Sequence, residues 1–210
     1  HRSIRYLSLC QGSGFGLRPE ISGGSGLLLD HQGDDNSTSD IFAQGAAYWF
    51  GLGMLVDGAG NDHYEAFEHA QGEGLHLAAG LLADWGGNDV YTGHEHVQGV
   101  GMDRSAGILF EAAGDDTYLA KHESQGAGLK SLGVGLLVEL TGNDTYEANR
   151  DAQGYAGDPE EGFPAEEKAT GILLDLGGKN TFDIPYTETV NRSGRIQNQQ
   201  GIAIDYGNKP

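Results

Sequence analysis

An acidic residue closes an apolar triplet at Asp30, Asp57, Asp84, Glu111, Glu139, Asp175 and Asp205, in steps of 27, 27, 27, 28, 36 and 30 residues. A Gln-Gly pair keeps the same beat at Gln44, Gln71, Gln98, Gln125 and Gln153. An aromatic does so at Tyr64, Tyr91, Tyr118 and Tyr146, with Phe182 in the equivalent place. A period of this length marks an array in which each unit packs chiefly on its neighbours. One unit reads QGxG, a short variable stretch, Gly, three apolar residues, Asp or Glu, two residues, Gly, Asn or Asp, Asp, one residue and Tyr. Gln11-Gly12-Ser13-Gly14 opens a further unit, and the last copy, from Gly201 to Asn208, stops before its tyrosine, so the first and last coils are expected to be incomplete.

Composition decides what such a unit builds. Thirty-six glycines among 210 residues argue against helical repeats, because each interior glycine is about 1 kcal/mol less favourable than alanine in a helix. Three short strand-like pieces and three turns per unit fit one coil of a parallel β-helix. The expectation is an all-β parallel β-solenoid, a single domain over residues 1–210, with about seven coils stacked ~4.8 Å apart into a rod ~34 Å long. Residues 33–42 and 155–170 read as insertions thrown out from coil corners. Cys10, the one cysteine, rules out an intrachain disulfide and a cysteine zinc cluster. It aligns with Ala43, Ala70, Val97, Ser124 and Ala152 and is read as a small core residue.

A net charge of −19 disfavours nucleic acid and anionic membrane surfaces and favours cations or basic partners. The longest apolar stretch, AAYWFGLGMLV, is short and glycine-broken, so no membrane span is expected. In a solenoid every repeated position becomes a ladder. The tyrosines are expected to stack in the core, and the glutamines to bond amide to amide along the rod. The triplets are apolar on both faces of a strand. Leu55, Leu82, Leu109, Leu137 and Leu173 are read as a stripe for a protein partner or self-association.

Stacked carboxylates are the chemical problem. At an effective dielectric of 20, neighbours ~4.8 Å apart repel by roughly 3 kcal/mol. Turn amides, the asparagines Asn61, Asn88 and Asn143, protonation, or a hard divalent cation could relieve this, and calcium tolerates irregular oxygen shells. The segments GGNDVY, AGNDHY, AGDDTY and TGNDTY resemble one half of the glycine- and aspartate-rich nonapeptide of repeat-in-toxin (RTX) proteins, whose secreted β-rolls bind calcium at their turns. The resemblance implies that Asp62, Asp89, Asp116 and Asp144 are calcium ligands, helped by Asn61, Asn88, Asp115 and Asn143. The ladder acids Asp57, Asp84, Glu111 and Glu139 complete the candidate calcium set. In the Phe182 unit, Lys179-Asn180 replaces Asn-Asp.

A second constellation is a candidate transition-metal patch. His94 and His96 are two apart and so face one way on a strand, His69 aligns one coil earlier, and Glu123 one coil later. An exposed polar corner is the plainer account of the same residues.

The reading that uses most of these features is a non-enzymatic, calcium-binding, extracytoplasmic β-solenoid (extracellular, cell-surface or periplasmic) acting as a structural, adhesive or protein-interaction module. One alternative is a carbohydrate-active β-helix enzyme or glycan binder, with Tyr48-Trp49-Phe50 stacking on sugar. Another is an accessory subunit docked through its apolar stripe.

Overall fold

The computed structural model describes residues 5–20, 23–159, 161–183, 195–196 and 201–206. Its strands come in threes, one set per turn of the coil. The first turn holds β1 (Gly14–Phe15), β2 (Ser25–Leu29) and β3 (Asn36–Ile41), and the second β4 (Ala47–Tyr48), β5 (Leu52–Asp57) and β6 (His63–Glu68). Next come β7 (Gly74–Leu75), β8 (Ala79–Asp84) and β9 (Val90–Thr92), then β10 (Gly101–Met102), β11 (Ala106–Glu111) and β12 (Thr117–Leu119). After them run β13 (Gly128–Leu129), β14 (Val134–Glu139) and β15 (Thr145–Glu147). The chain continues through β16 (Thr170–Asp175), β17 (Thr181–Asp183), β18 (Arg195–Ile196) and β19 (Ile202–Asp205). Among the described residues there is no helix, and none is long and apolar enough to cross a membrane.

The first strands of each turn stack into a five-stranded parallel sheet, β1-β4-β7-β10-β13. The second strands form β2-β5-β8-β11-β14-β16-β19, closed by antiparallel β18, and the third form a six-stranded sheet from β3 to β17. Equivalent repeat positions pair: Glu111 with Asp84 and Glu139, Tyr118 with Tyr91 and Tyr146. The protein is a parallel β-solenoid of about six turns. Among the described residues the three sheets hold five, seven and six parallel strands.

The alternation of the middle strand fixes the core. In β5 the inward positions are Gly53, Leu55 and Asp57, and Met54 and Val56 point out. Leu55, Leu82, Leu109, Leu137 and Leu173 are therefore not a surface stripe. They are at most 1% exposed and pack against the tyrosines in the main core cluster. Parity explains the correction: each leucine lies two residues before an inward acid and must share its face. The tyrosine rings stack as expected, with centroids 4.9–5.0 Å apart, interplanar angles of 4–5°, and Phe182 continuing the column.

The glutamines form no amide-to-amide ladder. Gln71 Nε2 donates instead to the carbonyls of Tyr64 (3.1 Å) and Thr92 (3.1 Å), tying its own turn to the next. Gln44, Gln98 and Gln125 do the same. These glutamines sit at φ of 51° to 63°, a left-handed conformation that non-glycine residues rarely adopt. The buried bonds fix the corner in that shape.

Residues 33–42 are not an insertion. They contain β3, paired in register with β6, and Asp34-Asp35 occupy the place of Asn61-Asp62. The segment escapes the sequence pattern because Ser37 stands where the later turns carry tyrosine. Of the expected insertion 155–170, the described residues between Ala156, which bridges to Gly128, and Thr170, which opens β16, do leave the coil. Glu167 folds this excursion back through an ion pair to Arg104, whose guanidinium lies over Phe163. Cys10 is exposed among the described residues rather than core.

The glycine ahead of each triplet answers to a close backbone approach. A Cβ on Gly107 would lie 1.8 Å from the Val100 carbonyl oxygen, whereas one on Gly157 would meet nothing closer than 3.6 Å. Gly107→Ala should therefore lower unfolding stability by at least about 2 kcal/mol, while Gly157→Ala stays within ~0.5 kcal/mol. Chemical denaturation of both variants checks the pair.

Candidate metal centre: an interior acid column

Each turn's second corner is built by two acids and the tight turn between them. Asp57 ends β5, the chain turns through Gly58–Asn61, and Asp62 leads into β6. Both carboxylates point into the rod. The first column, Asp57, Asp84, Glu111, Glu139, Asp175 and Asp205, is at most 5% exposed, and the second, Asp62, Asp89, Asp116 and Asp144, at most 2%.

The first column is well supplied with donors. One oxygen accepts a turn N–H, as from Gly86 to Asp84 (3.2 Å) or Ala112 to Glu111 (3.0 Å). The other accepts the tyrosine hydroxyl of the preceding turn: Tyr64 to Asp84, Tyr91 to Glu111, Tyr118 to Glu139 and Tyr146 to Asp175, at 2.7–2.9 Å. The repeated tyrosine and the repeated acid are thus partners across turns.

The second column is half supplied. Asp89 Oδ1 accepts the Asp62 N–H at 2.6 Å, Asp116 Oδ1 that of Asp89 at 2.7 Å, and Asp144 Oδ1 that of Asp116 at 2.8 Å. The Oδ2 atoms of Asp62, Asp89, Asp116 and Asp144 are buried and accept from no amide, hydroxyl or basic side chain, which leaves a protonated carboxyl, as Glu139 beside Asp116, as the donor the described residues can offer. Oxygens of Asp57, Asp62 and Asp84 lie within 4.8 Å of one another, as do those of Asp84, Asp89 and Glu111. No lysine or arginine is buried among the residues whose burial is described, so none of these supplies a fixed counter-charge.

Asn180 shows what the second column requires. It takes the rung after Asp144, whose N–H it accepts at 2.9 Å, and its Nδ2 donates to Asp205 Oδ1 at 3.1 Å. At this rung the position facing the next first-column acid is a donor. At the aspartate rungs that place must be filled by a proton or by a cation.

The carboxyls' affinities for protons match this. Burial, followed by the charges of Asp84 and Asp116, pushes Asp89 up to about 8 against the Asp62 N–H bond. Burial raises Glu111 to about 10 with help from Asp84 and Asp116, and Glu139 to about 9 against the Tyr118 hydroxyl. Asp116 and Asp175 rise to about 7, and Asp62 and Asp144 to about 6, burial leading in every case.

The Asn-Asp pairs that carry the RTX resemblance split at the surface. Asn61, Asn88, Asp115 and Asn143 are exposed and form an outer ladder, each accepting from the following turn: Asn88 N–H to Asn61 Oδ1 at 3.0 Å and Asp115 N–H to Asn88 Oδ1 at 2.8 Å. The next residue's N–H donates forward, to the following turn's aspartate. Two ladders of opposite direction clamp this corner of each turn, and the triads of Asp57, Asp62 and Asp84 and of Asp84, Asp89 and Glu111 are built from inward carboxylates.

The histidine patch also divides. His69, His96 and Glu123 come together, but through two glutamates that the sequence pattern did not single out. His69 Nδ1 lies 2.9 Å from Glu73, and His96 lies 3.3 Å from Glu68 and 2.9 Å from Glu123. Burial pulls His96 down, yet the bonds to Glu123 and Glu68 outweigh it and carry it to about 10, while Glu68 and Glu123 are held below the usual carboxylate range. A protonated imidazole between carboxylates is an ion-pair ladder, and a metal would have to displace that proton. His94 is not a member. The backbone bends there, with His96 at φ 51°, so the strand alternation that would align His94 with His96 does not apply. His94 stands instead with Glu95 and His122. The sequence signal for Glu73 is an acid at the QGxG position where other units carry Ser13, Ala46, Val100 and Ala127, and its side chain is fully buried.

In the run Tyr48-Trp49-Phe50 the first two residues are half-buried and Phe50, edge-on to Trp49 at 5.3 Å, is 37% exposed. Tyr48 stacks on Phe15 at 4.8 Å, and the Arg18 guanidinium lies 4.3 Å over Trp49.

The raised carboxyls set the sign of the pH response. The folded chain keeps protons that the unfolded chain releases above its ordinary values of 3.8–4.5. Stability therefore falls as pH rises through the folded values of about 6 to 10. His96 acts in the same direction, its contribution being lost as pH rises towards about 10. Chelator-treated protein should show a denaturation midpoint that declines steadily from pH 5 to pH 9; a flat or rising profile would contradict the proton spine. No family model, curated protein or solved structure matches the chain.

Proposed function

We propose that the chain is a non-enzymatic scaffold, a β-solenoid rod whose interior acid column is loaded with calcium outside the cytoplasm. The observation that carries this reading is the row of buried Oδ2 atoms at Asp62, Asp89, Asp116 and Asp144, which accept from no amide, hydroxyl or basic side chain. Oxygen-only sites suit calcium, which takes ligands at about 2.3–2.6 Å in irregular shells. Oxygens within 4.8 Å of one another span about the diameter of such a shell. Each triad draws on two successive turns, as Asp57 and Asp62 do with Asp84, so a bound ion cross-links the stack and its binding energy becomes folding energy. The strongest carboxyl clusters are enclosed, out of reach of a polysaccharide, which favours a scaffold over a carbohydrate-active enzyme.

Thermal melts at pH 8 in EGTA and in millimolar calcium, with metal content measured on the same samples, test the proposal. Several calcium ions per chain and a rise of at least ~5 °C are expected, since a site filled to 100 times its dissociation constant adds about 2.7 kcal/mol. Asp89→Asn and Asp116→Asn, which copy Asn180, should melt higher than the parent in EGTA and gain less from calcium. Absence of bound metal together with coincident melts would leave the column to protons alone.

A further inference from the structure

The second sheet buries one face and turns the other outward. One outward column runs through Met54, Leu81, Ile108, Leu136 and Ile172. The column two residues further along each strand, from Leu29 to Ile204, is equally apolar. Neither contains a charged residue in a chain of net charge −19. Met54, Leu81, Ile108, Leu136 and Ile172 are half-buried by their neighbours along the sheet and Ala83 is buried, while Leu27 and Leu29 on the edge strand β2 are 60% exposed and Trp85, packed edge-on to Phe110 at 5.3 Å, is 58% exposed. Strands of six residues are ~20 Å wide and seven rungs ~34 Å long, giving a face of roughly 680 Å². A soluble monomer's largest apolar patch is about 300–600 Å².

We propose that two copies of this chain pack these faces together across a twofold axis. Burying both faces removes on the order of 1,400 Å², within the ~1,200–2,000 Å² of stable interfaces. The corrugation of the face favours a second copy over an unrelated protein. Its side chains repeat at every rung, and a surface with the same ~4.8 Å spacing interdigitates along the whole length, as paired sheets do ~10 Å apart. The face carries no charges to select a heterologous partner, and the chain's acidity opposes an anionic bilayer. A self-complementary contact needs only the one patch. The acids lie elsewhere on each copy, so the two bodies repel at long range and added salt should tighten the pair.

Sedimentation equilibrium of the intact chain from ~1 to ~100 μM, in 0.05 M and 0.5 M salt, tests this. The expected result is twice the 22.2 kDa chain mass, with tighter association at high salt and a blue shift of Trp85 emission on dimerisation. Ile108→Glu should weaken the dimer at least 100-fold. The double variant Ile108→Thr/Leu136→Thr keeps strand-favouring side chains, retains the parent's circular dichroism and should also be monomeric. A parent monomeric throughout the range would overturn the proposal, as would folded variants that still pair. Growth beyond two copies indifferent to these substitutions, or a monomer that floats with vesicles, would assign the face to another occupant and overturn it as well.

Discussion

Backbone hydrogen bonds between successive turns hold equivalent residues about 4.8 Å apart, so each side chain meets its own kind above and below. Leucine and tyrosine gain from this: the rings stack nearly parallel, and the leucines fill the space beside them. Aspartate and glutamate do not, yet they are the most buried charges in the rod. A structure that puts two carboxyl columns where solvent cannot screen them requires protonation or counter-charge, and the described interior has no lysine or arginine to give the latter.

The chain's own donors meet part of that demand. Turn amides and tyrosine hydroxyls saturate most of the first column, and forward-donating backbone amides take one oxygen of each second-column aspartate. These bonds run between turns, so the groups that make the acids tolerable are also the groups that set the register. What remains is one oxygen per turn, aimed at the next turn's acid. Asn180 fills that role with an amide. The aspartates fill it with whatever is bound there, which makes the stacking of the rod sensitive to pH and to cations.

Much of this could be read from the sequence because it is periodic. The period set the solenoid, the tyrosine column and the acid ladder, for in-register stacking makes any invariant position a column. Three features escaped for physical reasons. Parity of the apolar triplet is ambiguous when all three residues are apolar, and only the inward acid two positions later shows that Leu109 is core and Ile108 is not. Left-handed corners at residues such as His96 and Gln98 break strand alternation, so His94 and His96 diverge and Gln98 reaches carbonyls instead of another amide. The partnership of Tyr91 with Glu111 spans 20 residues and two turns, a relation that a repeat profile contains but does not announce.

A bound cation or a proton is the bridge proposed between the interior acids of successive turns. The most direct measurement is long-wavelength anomalous diffraction from crystals grown with calcium at pH 8. The account predicts anomalous peaks inside the rod, within about 2.6 Å of the second-column Oδ2 atoms and recurring at the spacing of the turns. An interior without peaks, whose paired carboxyl oxygens approach to about 2.6 Å as in shared-proton bonds, would assign the bridge to protons. Carboxylates drawn apart, with neither ion nor proton between them, would contradict the account.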